Sequence, residues 1–160
     1  MANKTFVAQE VLTAADVNAY LNNYRADLVA PSELANVSAT AATGTVNLDI
    51  ANTSVTYFTT NASGNFVLNL RGNSTTSAAS YISTNEVVTH VFLNTNGSPA
   101  YFCGTVQVDG TVAGTATIAW QGGAGPTSGN VNSLDAYSLT VIKTAATPTY
   151  EILASQTQFK

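Results

Sequence analysis

The first apolar pattern along the chain is helical. Val17, Leu21, Tyr24 and Leu28 recur at spacings of four, three and four, which aligns them on one stripe of a helix. Asn18, Asn22, Asn23 and Asp27 fall outside that stripe. Thr13 stands where an N-cap would, with Asp16 three positions on, a variant of the capping box. Ala30-Pro31 closes the segment, because proline disfavours the α conformation in the residue before it. The pattern predicts a helix over roughly residues 14–29 within an N-terminal arm, residues 1–33. Two uses of the stripe stand side by side: it lies on the chain's own domain, or it forms a short seam between copies. Two heptads fall short of the three or four of a free-standing coiled coil, so a seam would need help from the rest of the chain.

From Leu34 onward the period changes to two. Val46, Leu48 and Ile50 alternate with Asn47 and Asp49, the signature of a half-buried strand. Further strands are predicted over 55–60, 66–70, 86–94, 100–108, 111–120, 136–144 and 149–155. Asn96-Gly97 and Asp109-Gly110 sit between such runs, and both pairs tolerate the positive φ of a two-residue hairpin turn. The Ser/Thr/Asn-rich stretch 72–80 and the stretch 121–133, with four glycines and one proline, read as loops. The expectation is a mostly β fold over residues 34–160: an antiparallel β-sandwich, jelly-roll-like, of about eight strands. No helical crossover argues for a parallel sheet, and no internal repeat is legible. A second organisation is a fibre-like fold whose strands pack only when three chains wrap together.

Composition supports the β reading. The chain holds 24 Thr, 13 Ser and 16 Asn among its 160 residues. Thr fits a pleated face through its branched Cβ, while Asn and Ser favour turns. Charge is scarce: Asp, Glu, Lys and Arg make up 9% of residues, against about 25% in an ordinary soluble domain. The five cations, Lys4, Arg25, Arg71, Lys143 and Lys160, are scattered, so no basic patch is available to hold a nucleic acid. Weak repulsion between copies also predicts association. A chain of this length buries roughly 70% of its unfolded surface and needs neither disulfide nor metal to fold. The single Cys103 leaves no cysteine-based zinc site. No apolar run has the length of a signal peptide or a bilayer span, so a cytoplasmic, soluble product is expected, without membrane insertion.

Candidate chemistry is thin. His90 is the one histidine, and no serine lies in a nucleophile-elbow sequence, so a triad has little to build on. Its ordinary reading is a strand histidine facing solvent or a neighbouring subunit. Cys103 stands among apolar neighbours and reads as a small hydrophobe. A reactive thiol would need His90 as its base, across the Asn96-Gly97 turn. The acids Asp49, Glu86, Asp109, Asp135 and Glu151 form no local pair of the glycosidase kind. Gly122-Gly123-Ala124-Gly125-Pro126 lacks the lysine of a phosphate loop and a following helix. Six Asn-x-Ser/Thr sequons carry no weight without a secretory signal. No catalytic residue, cofactor or metal is expected. Tyr81, Tyr101, Trp120 and Tyr137 could stack on sugar rings, with Trp120 the candidate glycan contact, although aromatics inside strands are more often core.

Two segments carry a family resemblance. Residues 5–23, Thr-Phe-Val-Ala-Gln-Glu-Val-Leu-Thr-Ala-Ala-Asp-Val-Asn-Ala-Tyr-Leu-Asn-Asn, resemble the start of tail-fibre and minor structural proteins of tailed bacteriophages. Residues 120–143, Trp-Gln-Gly-Gly-Ala-Gly-Pro-Thr-Ser-Gly-Asn-Val-Asn-Ser-Leu-Asp-Ala-Tyr-Ser-Leu-Thr-Val-Ile-Lys, with 152–159, Ile-Leu-Ala-Ser-Gln-Thr-Gln-Phe, resemble the C-terminal β domain of phage virion proteins, cyanophages especially. The resemblance implies a non-enzymatic virion protein made in the host bacterial cytoplasm. It implies a homotrimer, with the arm as attachment or oligomerisation element through Val17, Leu21, Tyr24 and Leu28. Its partners would be itself, other capsid, neck or tail proteins and, in the receptor-binding alternative, a host surface glycan. Only 30–45 separates arm from β domain, which leaves both a short fibre and a capsid-decorating cement protein open.

Overall fold

The longest alternations in the sequence become the longest strands of the computed structural model, which describes residues 33–111 and 116–160. Nine strands follow one another: β1 Ala35–Ala41, β2 Gly44–Asp49, β3 Val55–Thr60, β4 Phe66–Arg71, β5 Val87–Thr95, β6 Cys103–Val108, β7 Ala116–Trp120, β8 Leu134–Ala145 and β9 Thr149–Phe159. Along β8, Asp135, Tyr137, Leu139, Val141 and Lys143 are buried while the residues between them are not. β9 buries Tyr150, Ile152 and Ala154 in the same rhythm. The two-residue period read at 46–50 recurs in these strands. The predicted helix over 14–29, with its stripe of Val17, Leu21, Tyr24 and Leu28, lies outside the described residues.

The strands form two sheets, six strands in the order β1-β3-β5-β8-β9-β7 and three in the order β2-β4-β6. From β1 to β6 successive strands alternate between the sheets, so the chain winds through three coils. Strands one coil apart pair in parallel: β1 with β3, β3 with β5, β2 with β4 and β4 with β6. Pairing becomes antiparallel where the β8–β9 hairpin is inserted beside β5, and β7 then lies parallel to β9 at the far edge. Five of the seven pairings are therefore parallel, which corrects the antiparallel, jelly-roll-like expectation. Parallel neighbours need a connection of about a dozen residues or more. Here the connection is a strand of the opposite sheet, so no helix announces it in the sequence. The coil offsets also differ: Ala35 aligns with Val55, an offset of 20, whereas Val55 aligns with Val91, an offset of 36. An unequal offset leaves no period to detect.

The expected count of about eight strands becomes nine through β1, whose Ala-Asn-Val-Ser-Ala-Thr-Ala has no apolar alternation and is largely exposed. Edge pairing makes it a strand. Thr60 Oγ1 donates to the Ala39 carbonyl at 2.9 Å, tying β3 to it through a side chain.

Asn96-Gly97 is not a hairpin either. Neither residue takes a positive φ, and the segment carries the chain from β5 in one sheet to β6 in the other. Asp109-Gly110 does turn with positive φ, at 51° and 76°, and the Val108 and Thr111 backbones bond across it, but β6 and β7 lie in different sheets, so the turn does not close the expected hairpin.

The sheets share one core. Phe92 on β5 stands edge-on to Phe58 at 5.2 Å and to Phe66 of the opposite sheet at 5.6 Å, and Phe66 meets Tyr137 at 5.7 Å. Edge-to-face rings at such spacing contribute beyond their buried area. The insertion between β4 and β5, predicted as a loop, contains one helical turn, Ala78–Tyr81. Asp109 accepts hydrogen bonds from the Ala78 and Ala79 amides at 2.7 and 3.0 Å. Buried Lys143 donates to the Ala79 and Ile82 carbonyls at 2.7 and 2.9 Å. One carboxylate and one ammonium thus hold the two ends of the turn, each matching the local backbone partial charge.

Candidate functional site

The inward positions of β5 run from apolar to polar: Val88, His90, Phe92, Asn94. Asn94 is registered opposite Asp135 of β8, and both are fully buried. Buried Asn96 joins them. Its Oδ1 accepts from Asn94 Nδ2 at 3.1 Å and from the Tyr101 amide at 3.0 Å, and its Nδ2 donates to Asp135 Oδ2 at 3.0 Å. The same Asp135 oxygen accepts from the Asn130 amide at 3.1 Å and from Gln156 Nε2 at 3.2 Å. Gln156 also reaches the Tyr137 hydroxyl at 3.2 Å, which accepts from the Cys103 amide at 3.2 Å. The network ties β5, β6, β8, β9 and the loop 121–133 together at one end of the core.

Two acceptors in it are orphaned: Asp135 Oδ1 and Asn94 Oδ1 have no hydrogen-bond partner. An unpaired buried acceptor costs about 1–3 kcal/mol. Burial pushes the Asp135 carboxyl above its ordinary value, opposed by the hydrogen bonds from Asn130, Gln156 and Asn96. Burial thus disfavours the charged form of Asp135 while three donors converge on its other oxygen. Nothing in the local sequence Ser-Leu-Asp-Ala-Tyr signals this; the partners come from three other segments.

His90 and Cys103 are not brought together as acid–base partners. His90 Nε2 lies 3.1 Å from Thr56 Oγ1, and burial lowers its pKa to about 4, so the ring is neutral at pH 7. It faces the core rather than solvent or a neighbour. Cys103, on the other sheet, directs its Sγ to the Thr105 carbonyl at 3.0 Å, and burial raises the thiol to about 11. A base and a nucleophile need the opposite shifts. Asp49 pairs with Arg71 at 2.6 Å, on the registered position of the neighbouring strand. Among the described residues no three His, Cys, Asp or Glu side chains gather as a metal site would require.

The four aromatics differ in exposure. Tyr137 is wholly buried, Tyr101 and Trp120 pack against the core, and Tyr81 is exposed on the helical turn. Trp120 keeps one half-exposed edge on a shallow hollow with Gly122, Pro126 and Gln156.

The outward face of the six-stranded sheet is a feature that strand-by-strand reading missed. One row across it runs Val37, Tyr57, Leu93, Ala136 and Thr157; another runs Val87, Ile142, Glu151 and Thr117. Glu151 is the one charged side chain at the outward positions of these six strands. Four of the seven exposed large hydrophobics among the described residues, Val37, Val87, Leu153 and Phe159, lie on it. The signal was present in the sequence as Val, Leu and Ile at the nominally polar positions of 87–95, 134–145 and 149–159. No protein-family model matches the chain, and neither a curated protein nor a solved structure matches it.

Proposed function

We propose that this chain is a non-enzymatic structural component of a tailed-bacteriophage particle, acting as a homotrimer in a short fibre or as a capsid-decorating cement protein. The observation that carries the proposal is the placement of the segment that resembles virion β domains. Residues 120–143 and 152–159 supply the end of β7, nearly all of β8 and most of β9, the hairpin that fills the fourth and fifth places of the six-stranded sheet. Their role is architectural, since β8 and β9 pair along their whole length. Two facing sheets with one core fit a sandwich reading of that domain. The protonation behaviour of His90 and Cys103 favours a non-catalytic role, because each is shifted away from reactivity. Among the described residues no helix is long and apolar enough to cross a membrane.

Imaging of purified particles tests the proposal. Many copies on the head mean decoration, a few at the neck or tail mean a fibre, and absence from the particle overturns the reading. The second reading is a receptor- or glycan-binding module of a phage tail, favoured by the hollow that Trp120 rims. Reproducible binding on a glycan array, abolished by Trp120→Ala in folded protein, would replace the first reading with the second.

A further inference from the structure

A β-sheet that covers a core on one side ordinarily shows water a polar face on the other. The large sheet departs from this. Its inner face packs on the core, yet its outer face carries Val87, Val91, Leu93, Ile142, Leu153 and Phe159 beside threonines and serines, with Glu151 as its one charge. Leu153, Phe159 and Val87 are 49%, 50% and 53% exposed, which places bulky apolar groups in water with no stabilising partner in the described chain. Apolar patches concentrated on one face mark interaction surfaces.

We infer that copies of the chain pair through this face about a two-fold axis, a contact additional to that of the proposed homotrimer, on whose assembly role the inference rests. Three observations choose a second copy as the occupant. The face carries a single charge, Glu151, so it offers little complementarity to a charged partner and little repulsion to its own copy. Its shape is a broad sheet, whose natural complement is another sheet packed about 10 Å away, and a second copy presents one. Its size suffices. Six strands at about 4.8 Å spacing and roughly 8 residues each at about 3.3 Å per residue give a face of about 800 Å². That is about the area each partner buries in a standard stable interface.

Sedimentation of the full chain tests the inference. The wild type is expected to associate with concentration, and Val87→Lys with Leu153→Lys is expected to weaken association about 100-fold or more, as loss of central anchors does. Both positions are half-exposed, so circular dichroism should stay unchanged; if the pair fails to fold, Leu153→Lys alone carries the test. The control removes equally exposed apolar groups outside the sheet. Tyr81→Lys with Val131→Lys should associate as the wild type does. A wild type that stays monomeric to about 100 μM, or a Val87/Leu153 variant as associated as the control, overturns the inference. The particle reading fails separately, by absence of the protein from purified particles, whatever its association in solution.

Discussion

At the residue scale the buried polar end of the core makes a sharp prediction. Asp135 has its pKa raised by burial, so its contribution to stability is complete below its unfolded value and is lost as pH rises through the folded one. Asp135→Asn keeps an oxygen for the Asn130, Asn96 and Gln156 donors and removes the charge that burial disfavours. The variant should unfold at higher urea than the wild type at pH 7.5, by about 1–3 kcal/mol, and lose that advantage near pH 4. A variant less stable than the wild type at pH 7.5 would mean that the carboxylate is the form the fold prefers. His90 acts in the opposite sense. Its pKa is lowered to about 4, so its stabilisation is present above about 6.5 and is lost as pH falls from there through 4. The comparison with Asp135→Asn is therefore made against wild type at each pH. Phe92 gives the plain packing test. It touches the Phe58, Phe66 and Tyr137 rings, and Phe92→Ala should cost about 3–5 kcal/mol in urea unfolding.

At the scale of elements, the helical turn Ala78–Tyr81 is too short to hold itself, since its nucleus fixes several residues for very few hydrogen bonds. Asp109, in the turn after β6, and Lys143 of β8 hold it instead. Asp109→Ala should raise amide exchange at 78–82 while global stability falls by about 1 kcal/mol, the usual cost of a lost cap. Lys143→Met strands two carbonyls and should cost more, about 2–3 kcal/mol. If exchange in 78–82 is unchanged in Asp109→Ala, the turn is held by packing of Ala78 and Ile82 rather than by its ends. The same scale explains what the sequence revealed of the strands. Eight of nine left a pattern because one of their faces is buried; β1 left none because it borrows its order from β3.

For the whole molecule, assembly is the expected behaviour. If the stripe of Val17, Leu21, Tyr24 and Leu28 is a seam between copies, Leu21→Asp with Leu28→Asp should turn trimers into folded monomers in sedimentation. A double variant that still sediments as a trimer would show that the helix is not the assembly element. Each apolar side chain sheltered by a partner contributes about 1.5–3 kcal/mol, so either surface is large enough to matter. The scarcity of charge acts in the same direction, since little repulsion separates copies.

The sequence by itself determined that the described chain is built largely of strands and, at 46–50, which side faces inward. A period of two is a local property, written in residues next to one another, and burial of one face enforces it. It also marked the Asp109-Gly110 turn, because positive φ is a property of the residues in the turn. Only the tertiary structure decided which strands are neighbours and in which direction. A strand of the period seen at 46–50 pairs equally well either way, and the deciding fact is that the chain crosses to the other sheet before returning. The same holds for the sites. Asn96 reads as a turn residue until β8 and the loop 121–133 close over it. Val87, Ile142 and Leu153 read as three unrelated apolar residues until the register of β5, β8 and β9 sets them on one face. Neighbours far apart in sequence meet only through the fold, and it is their meeting, rather than their identity, that makes a buried polar network or an apolar face.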